Sequence, residues 1–152
     1  MTGNVVFIED AMPLIISVMP REISGRVVDQ LATGFERFFE KGERYALISC
    51  SMRGSAGMLA KERRLVADWA NQPRVREQSA RYCVGSATLV ESAIERAALT
   101  AIMWFWTPAS PHRAAASPTE AIDFCLERLG AAGLTCPMPH AKLVRPIEER
   151  IR

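Results

Sequence analysis

The sequence of 152 residues has almost no excess of charge of one sign. Its 19 lysines and arginines and 17 acidic residues leave a formal net charge of +2 at pH 7. Proteins that bind nucleic acid usually carry a marked basic patch, whereas the local cluster of Lys61, Arg63 and Arg64 is interrupted by Glu62 and Asp68. The charge pattern therefore indicates solvated helix faces and argues against a nucleic-acid partner.

Long hydrophobic runs are also missing. The longest apolar stretch, residues 97–106, is well short of the ~20 residues that cross a bilayer, and it includes Thr100. At the start of the chain, Glu9 and Asp10 interrupt the apolar residues, and no basic leader precedes them as in a secretory signal. We therefore expect a cytoplasmic protein without a transmembrane segment.

Metal-binding and redox patterns are absent from the sequence. None of the 4 cysteines forms a C-x-x-C pair, and neither of the 2 histidines lies at ligand spacing from a cysteine. The sequence therefore predicts no metal and no cofactor. Three cysteines lie in apolar patterns and are predicted to be buried, namely Cys50, Cys83 and Cys125.

Hydrophobic periodicity is the strongest positive signal in the chain. Short β-rich runs at 4–9 and 14–19, joined by turn residues, predict a hairpin. Further strands are predicted at 45–49, 82–84 and 112–116, and amphipathic helices at 24–41, 60–71, 88–105 and 117–130. The order β-β-α-β-α-β-α-β-α indicates a single α/β domain at 1–130, followed by a C-terminal tail at 131–152 that lies along the body or is mobile.

The order of elements resembles the STAS and SpoIIAA-like (STAS/SEC14-type) superfamily, which includes anti-sigma-factor antagonists. The residues that carry the resemblance are the strand YALIS, the loop and helix after it with Trp69, and the segment HRAAASPTEAIDFCLERL. The resemblance implies a mixed four- to five-stranded sheet with about four helices. It also implies a non-catalytic regulatory or protein-interaction module.

The loop after the YALIS strand is the first candidate site. The family places a phosphorylatable serine there, and the resemblance carries that role to Ser55, although Arg53-Gly54 stands where the family has an acidic residue. Because a helix N-terminus favours negative charge, Arg53 and Lys61 could help the loop bind an anion or a partner. The alternative interpretation is a flexible connection whose glycines relieve backbone strain.

The aromatic cluster at residues 103–106 is the second candidate site. One helix face cannot bury four consecutive large residues, so some of Trp104, Phe105 and Trp106 should form a protein interface or line a hydrophobic ligand. The alternative is that the tail folds over the cluster through residues such as Leu134, Met138 or Leu143.

Catalysis is not predicted. Cys50 or Ser51 could be a nucleophile, but the sequence offers no recognisable partner for His112 or His140 as the base. Three hypotheses remain: a regulatory module that binds a protein partner and forms a homodimer, a carrier of an apolar small molecule or lipid, and an enzyme that uses the cysteine or serine.

Overall fold

The computed structural model describes residues 3–54 and 59–152, so Ser55 of the predicted loop site lies outside the described residues. The described residues form an α/β structure of five strands and six helices. The strands are β1 (Val6–Ile8), β2 (Leu14–Met19), β3 (Tyr45–Ser51), β4 (Cys83–Leu89) and β5 (His112–Ala115). The helices are α1 (Gly25–Lys41), α2 (Ala60–Ala70), α3 (Pro73–Tyr82), α4 (Ala93–Met103), α5 (Pro118–Ala131) and α6 (His140–Ile151).

The five strands form one mixed sheet whose spatial order, β1-β2-β3-β4-β5, is the order of the chain. The predicted hairpin is confirmed, because β1 pairs antiparallel with β2. Strands β2 to β5 are all parallel. Each new strand is therefore added on the same side of the previous one.

This order determines where the connecting helices lie. Parallel crossovers are right-handed in nearly all proteins, so strands added in one direction carry their connections on one face of the sheet. Here, α1 and α3 cover a face that presents Ile15, Tyr45 and Leu47, and they contribute Phe35, Phe38 and Val75, among others, to its core. We call this the connection face, and the opposite one the C-terminal face.

The C-terminal face is sealed by α5 and α6. Its sheet residues include Leu14, Ile16, Val18, Ala46 and Ile48, and the helices contribute Ile122, Cys125, Leu129, Leu143, Ile147 and Ile151. Every one of these side chains is at most 3% exposed. The helices that cover this face therefore come from the part of the chain that follows the last strand.

The number and bounds of the elements differ from the sequence prediction. About four helices were expected and the described residues contain six. Pro73 starts a separate helix, α3, and residues 140–151 within the predicted tail form α6, whose Leu143, Ile147 and Ile151 repeat every four residues. Helix α4 begins later than the predicted residue 88, because β4 continues to Leu89. It is capped by Ser92, whose hydroxyl accepts from the backbone N–H of Glu95.

The sheet ends in two short edge strands. On one side β1 has three residues, and on the other β5 has four. Pro111 precedes β5, and the Arg113 guanidinium lies 3.4 Å from the Glu120 carboxylate on α5.

In the described ranges 3–54 and 59–152, no helix combines the length and the apolar character that a membrane crossing needs.

Replacing Ile147 by alanine should lower the free energy of unfolding by about 2–5 kcal/mol, since truncating a buried isoleucine leaves a cavity. Ile147 is 0% exposed in the core between α6 and the sheet. Chemical denaturation followed by circular dichroism measures the change. Lys142→Ala, on the exposed side of the same helix, is the control and should shift stability by less than about 0.5 kcal/mol. An Ile147→Ala variant as stable as the wild type would contradict the docking of α6.

Candidate functional site

A cavity of about 220 Å³ lies between the connection face of the sheet and helices α1 to α4. Protein interiors are close-packed and leave few voids larger than a water molecule, so a space of this size is a feature that needs an explanation. One side of the cavity is apolar. We call it the apolar wall, and it consists of Leu31, Phe35, Val66, Trp69, Leu99, Ile102 and Trp106.

The sheet supplies the opposite side of the cavity, which is polar. Ser17, Ser49 and Thr88 are direct neighbours across β2, β3 and β4. Ser86 and His112 are neighbours across β4 and β5. Together with Ser51 these residues line the cavity, and we call the set of Ser17, Ser49, Ser51, Ser86, Thr88 and His112 the polar floor. The polar part of the cavity-facing sheet surface is thus a band of hydroxyl groups ending in an imidazole.

Small side chains explain why this volume is not filled. The floor carries serines where the rest of the sheet carries Leu, Ile or Val, and a serine reaches less far into the helix layer. From α4, the side chains that reach the cavity are Leu99 and Ile102. Of these, Ile102 is buried. The short serine side chains of the floor therefore leave space between the sheet and α4.

His112 is the central polar group of the floor. Its Nδ1 lies 2.8 Å from the Ser86 hydroxyl, and its Nε2 lies 3.4 Å from the Thr88 hydroxyl. Burial lowers the pKa of the imidazole, because the low-dielectric surroundings disfavour the charged form. The ring of Trp106 packs edge-on against it, with the ring centroids 6.0 Å apart. His112 is therefore a neutral donor and acceptor at neutral pH, held in place by two hydroxyls and an indole.

No protein-family model, curated protein or solved structure matches the chain.

The loop 104–111 borders one end of the cavity. Its residues Trp106, Pro108, Ala109 and Ser110 line the space. Two side chains of neighbouring helices hold the loop: the Asn71 amide donates to the Phe105 carbonyl, and the Arg76 guanidinium donates to the Thr107 carbonyl. The loop follows α4 and precedes β5, so it lies at the amino edge of the parallel strands.

The predicted loop site lies at the other edge, where the strands end. Arg53 is exposed and forms an ion pair with Glu91, with 3.2 Å between Nη2 and Oε2. Lys61 is exposed on the first turn of α2, and Ser55 lies outside the described residues. Neither Arg53 nor Lys61 lines the cavity, whereas Ser51, at the end of β3, does.

The aromatic cluster divides between the surface and the cavity. Trp104 is 75% exposed and Phe105 is 50% exposed, with the Arg64 guanidinium 4.8 Å from the Phe105 ring centroid. Trp106 turns inward and lines the cavity. The C-terminal segment does not cover the exposed part, since Leu134, Met138 and Leu143 pack into the core of the C-terminal face.

The cysteines are poor candidates for chemistry. Cys50, Cys83 and Cys125 are buried, and burial raises the pKa of Cys50 and Cys125 to about 12. Since the thiolate is the nucleophile, these thiols are unreactive at neutral pH. Within the described ranges, no group of three or more His, Cys, Asp or Glu side chains could hold a metal ion.

The spacing of hydroxyl residues in the sequence is a signal for the polar floor. Serine or threonine recurs at alternate positions of buried strands, as Ser49 and Ser51 in β3 and as Ser86 and Thr88 in β4. Side chains two residues apart point to the same face of a strand. Polar residues at that spacing inside buried strands therefore indicate a polar patch within the protein.

The lowered pKa of His112 predicts a pH dependence of stability. Below about pH 6.5 the unfolded chain binds a proton that the folded imidazole resists, so the free energy of unfolding should fall as the pH falls towards the folded-state pKa. His112→Asn and His112→Gln remove this contribution and should show a shallower decline between about pH 7.5 and 5. Denaturation curves at several pH values measure the slopes. Identical slopes in the wild type and both variants would contradict a buried neutral imidazole.

Proposed function

We propose that the protein is a cytoplasmic STAS-like module that binds a small amphipathic molecule in the cavity, without chemistry of its own. The observation that carries the proposal is the polar floor facing the apolar wall across an unfilled space. Ligand sites typically combine a mostly apolar lining with a few convergent polar groups that fix orientation. Here His112 and the hydroxyl groups would supply the orientation.

The size of the cavity indicates the size of the ligand. A water molecule occupies about 30 Å³ in the liquid, so about 220 Å³ corresponds to roughly seven water-sized groups. This is below the range of about 300–1,000 Å³ for drug-sized ligands. Waters against the apolar wall would lack hydrogen-bond partners, so a ligand with an apolar part would displace them favourably.

A role in binding is favoured over catalysis by the surroundings of Ser86. The hydroxyl and the imidazole of His112 are close enough to act as a nucleophile and a base. However, an acyl-transfer site also needs N–H donors aimed at the developing oxyanion, and the backbone N–H of Ser86 donates to the Pro111 carbonyl, 2.9 Å away. The second imidazole nitrogen faces a hydroxyl, Thr88, and not a carboxylate.

The resemblance to STAS and SpoIIAA-like proteins supports a regulatory setting for the binding. The order of strands and helices expected from it is contained in the observed order, with α3 and α6 added. In this proposal, the binding of a small molecule in the cavity is the signal to which the module responds. The predicted loop site, namely Arg53, Ser55 and Lys61, is the surface that the resemblance nominates for a regulatory partner.

A protein contact through α4, including a homodimer, is a second candidate function. Ile94 and Trp104 are 56% and 75% exposed, with the exposed Ala97 and the partly exposed Ala101 between them. The spacing i, i+3, i+7, i+10 puts the four residues on one side of the helix, as in helix–helix interfaces. Exposed apolar patches of this kind mark interaction sites in many proteins.

Replacing Leu99 by phenylalanine should abolish binding of hexanol, since the larger side chain would occupy the cavity beside the apolar wall. Ile94→Phe is the matched control: it makes a comparable change on the exposed side of the same helix and should bind like the wild type. Tryptophan fluorescence reports binding, because Trp69 and Trp106 line the cavity. If Leu99→Phe binds hexanol as the wild type does, the ligand does not occupy this space.

Replacing Trp104 by serine should convert a dimer into a monomer if α4 is an interface, because large aromatic side chains commonly dominate the energy of such contacts. Light scattering over a range of concentrations measures the mass. Trp104→Phe keeps an aromatic group and should preserve the dimer. A wild-type protein that is monomeric at all concentrations would eliminate the homodimer.

A further inference from the structure

We propose that the ligand of the cavity carries a carboxylate, and that Arg76 is the residue that binds it. The inference rests on the proposed function, because it names the chemical class of the molecule in the same cavity. It concerns the end of the cavity bordered by the loop 104–111, where Arg76 is the charged residue of the lining.

Arg76 belongs to α3 and is half-buried beside the loop. It lines the cavity, and its Nη1 donates to the backbone carbonyl of Thr107. A guanidinium has five N–H donors, so one bond to the loop leaves most of them free to bind another group. Planar, bidentate pairing with a carboxylate is the interaction for which this geometry is best suited.

Arg76 differs from two nearby arginines, which form ion pairs with carboxylates. On α2, Arg64 lies 3.0 Å from the Asp68 carboxylate, and on α3 the Arg74 guanidinium pairs with Glu36. In the part of the chain that the structure describes, Arg76 has a carbonyl and no carboxylate as its partner. The lining itself contains no aspartate or glutamate among the described residues. The cavity therefore offers one positive charge without an internal anion to neutralise it.

The position of Arg76 sets the orientation of the ligand. At the opposite edge of the sheet, Glu91 pairs with Arg53, and neither residue lines the cavity. Among the described lining residues, the guanidinium of Arg76 lies at the loop end. A carboxylate therefore binds at the Arg76 end. The apolar part of the ligand then lies along Leu99 and Ile102.

The volume indicates the size of acid that suits a binding test. Space for roughly seven water-sized groups accommodates a chain of about six to eight heavy-atom groups, which corresponds to a short fatty acid or a small aromatic acid. Hexanoate and hexanol form a suitable pair of probes, since they have the same chain length and differ in the charge of the head group.

The experiment measures hexanoate and hexanol binding by isothermal titration calorimetry in the wild type and three variants. Arg76→Gln should weaken hexanoate binding about tenfold or more, the loss expected for a hydrogen bond to a charged group, and should leave hexanol binding unchanged. Arg76→Lys keeps the charge and should retain most of the preference for the acid. Arg74→Gln, on the exposed side of the same helix, is the matched control and should bind both probes as the wild type does.

The outcomes separate the two proposals. If hexanoate and hexanol bind equally well, and Arg76→Gln affects both or neither, the carboxylate assignment is wrong and the cavity remains a ligand site. If neither probe binds the wild type, the proposed function itself fails. Thermal melts of each variant verify that Arg76→Gln is folded at the temperature of the titration, and Arg76→Lys provides the comparison that does not depend on removing the charge.

Discussion

The direction in which strands are added to the sheet is the constraint on which the rest of the structure depends. Because β2 to β5 are parallel and follow one another in space, right-handed crossovers bring α1 to α4 to the same face. The other face has no crossover helix, so α5 and α6 must cover it. One face is therefore sealed by segments that follow the last strand, and the other by helices whose spacing is set by the strand connections. The cavity lies on the second face. There the strand connections hold the helices, so the distance between the sheet and the helices is least able to adjust.

The chemistry of the floor and the wall follows from burial. Buried hydroxyls need hydrogen-bond partners, and those of the floor find them in each other: Ser17 with Ser49, at 3.3 Å, and Ser86 with His112, at 2.8 Å. Each hydroxyl has one donor and two acceptor sites, so these pairs are satisfied and still have capacity for a ligand. A pre-formed floor of this kind loses little conformational freedom when it binds, which favours affinity for small molecules.

The sequence predicts the framework of this protein well, whereas it does not reveal the cavity. The hairpin and the amphipathic helices at 24–41 and 117–130 are local patterns, and the structure confirms them. The cavity depends on register, which places serines of three separate strands side by side, and a single strand does not reveal its neighbours. The sequence also does not distinguish Trp104 from Trp106, since only the packing of the loop decides which indole turns inward.

The two short edge strands have a consequence for the behaviour of the protein in solution. An unpaired edge is a template on which another chain can add a strand, and long flat edges lead to aggregation. Strand β1 offers only three residues, and β5 offers four, preceded by a proline and bearing an arginine tied to α5. Such edges are poor templates for strand addition. A sheet that grows in one direction always leaves two edges, and here both are short, while β5 also carries a charged side chain that pairs with α5.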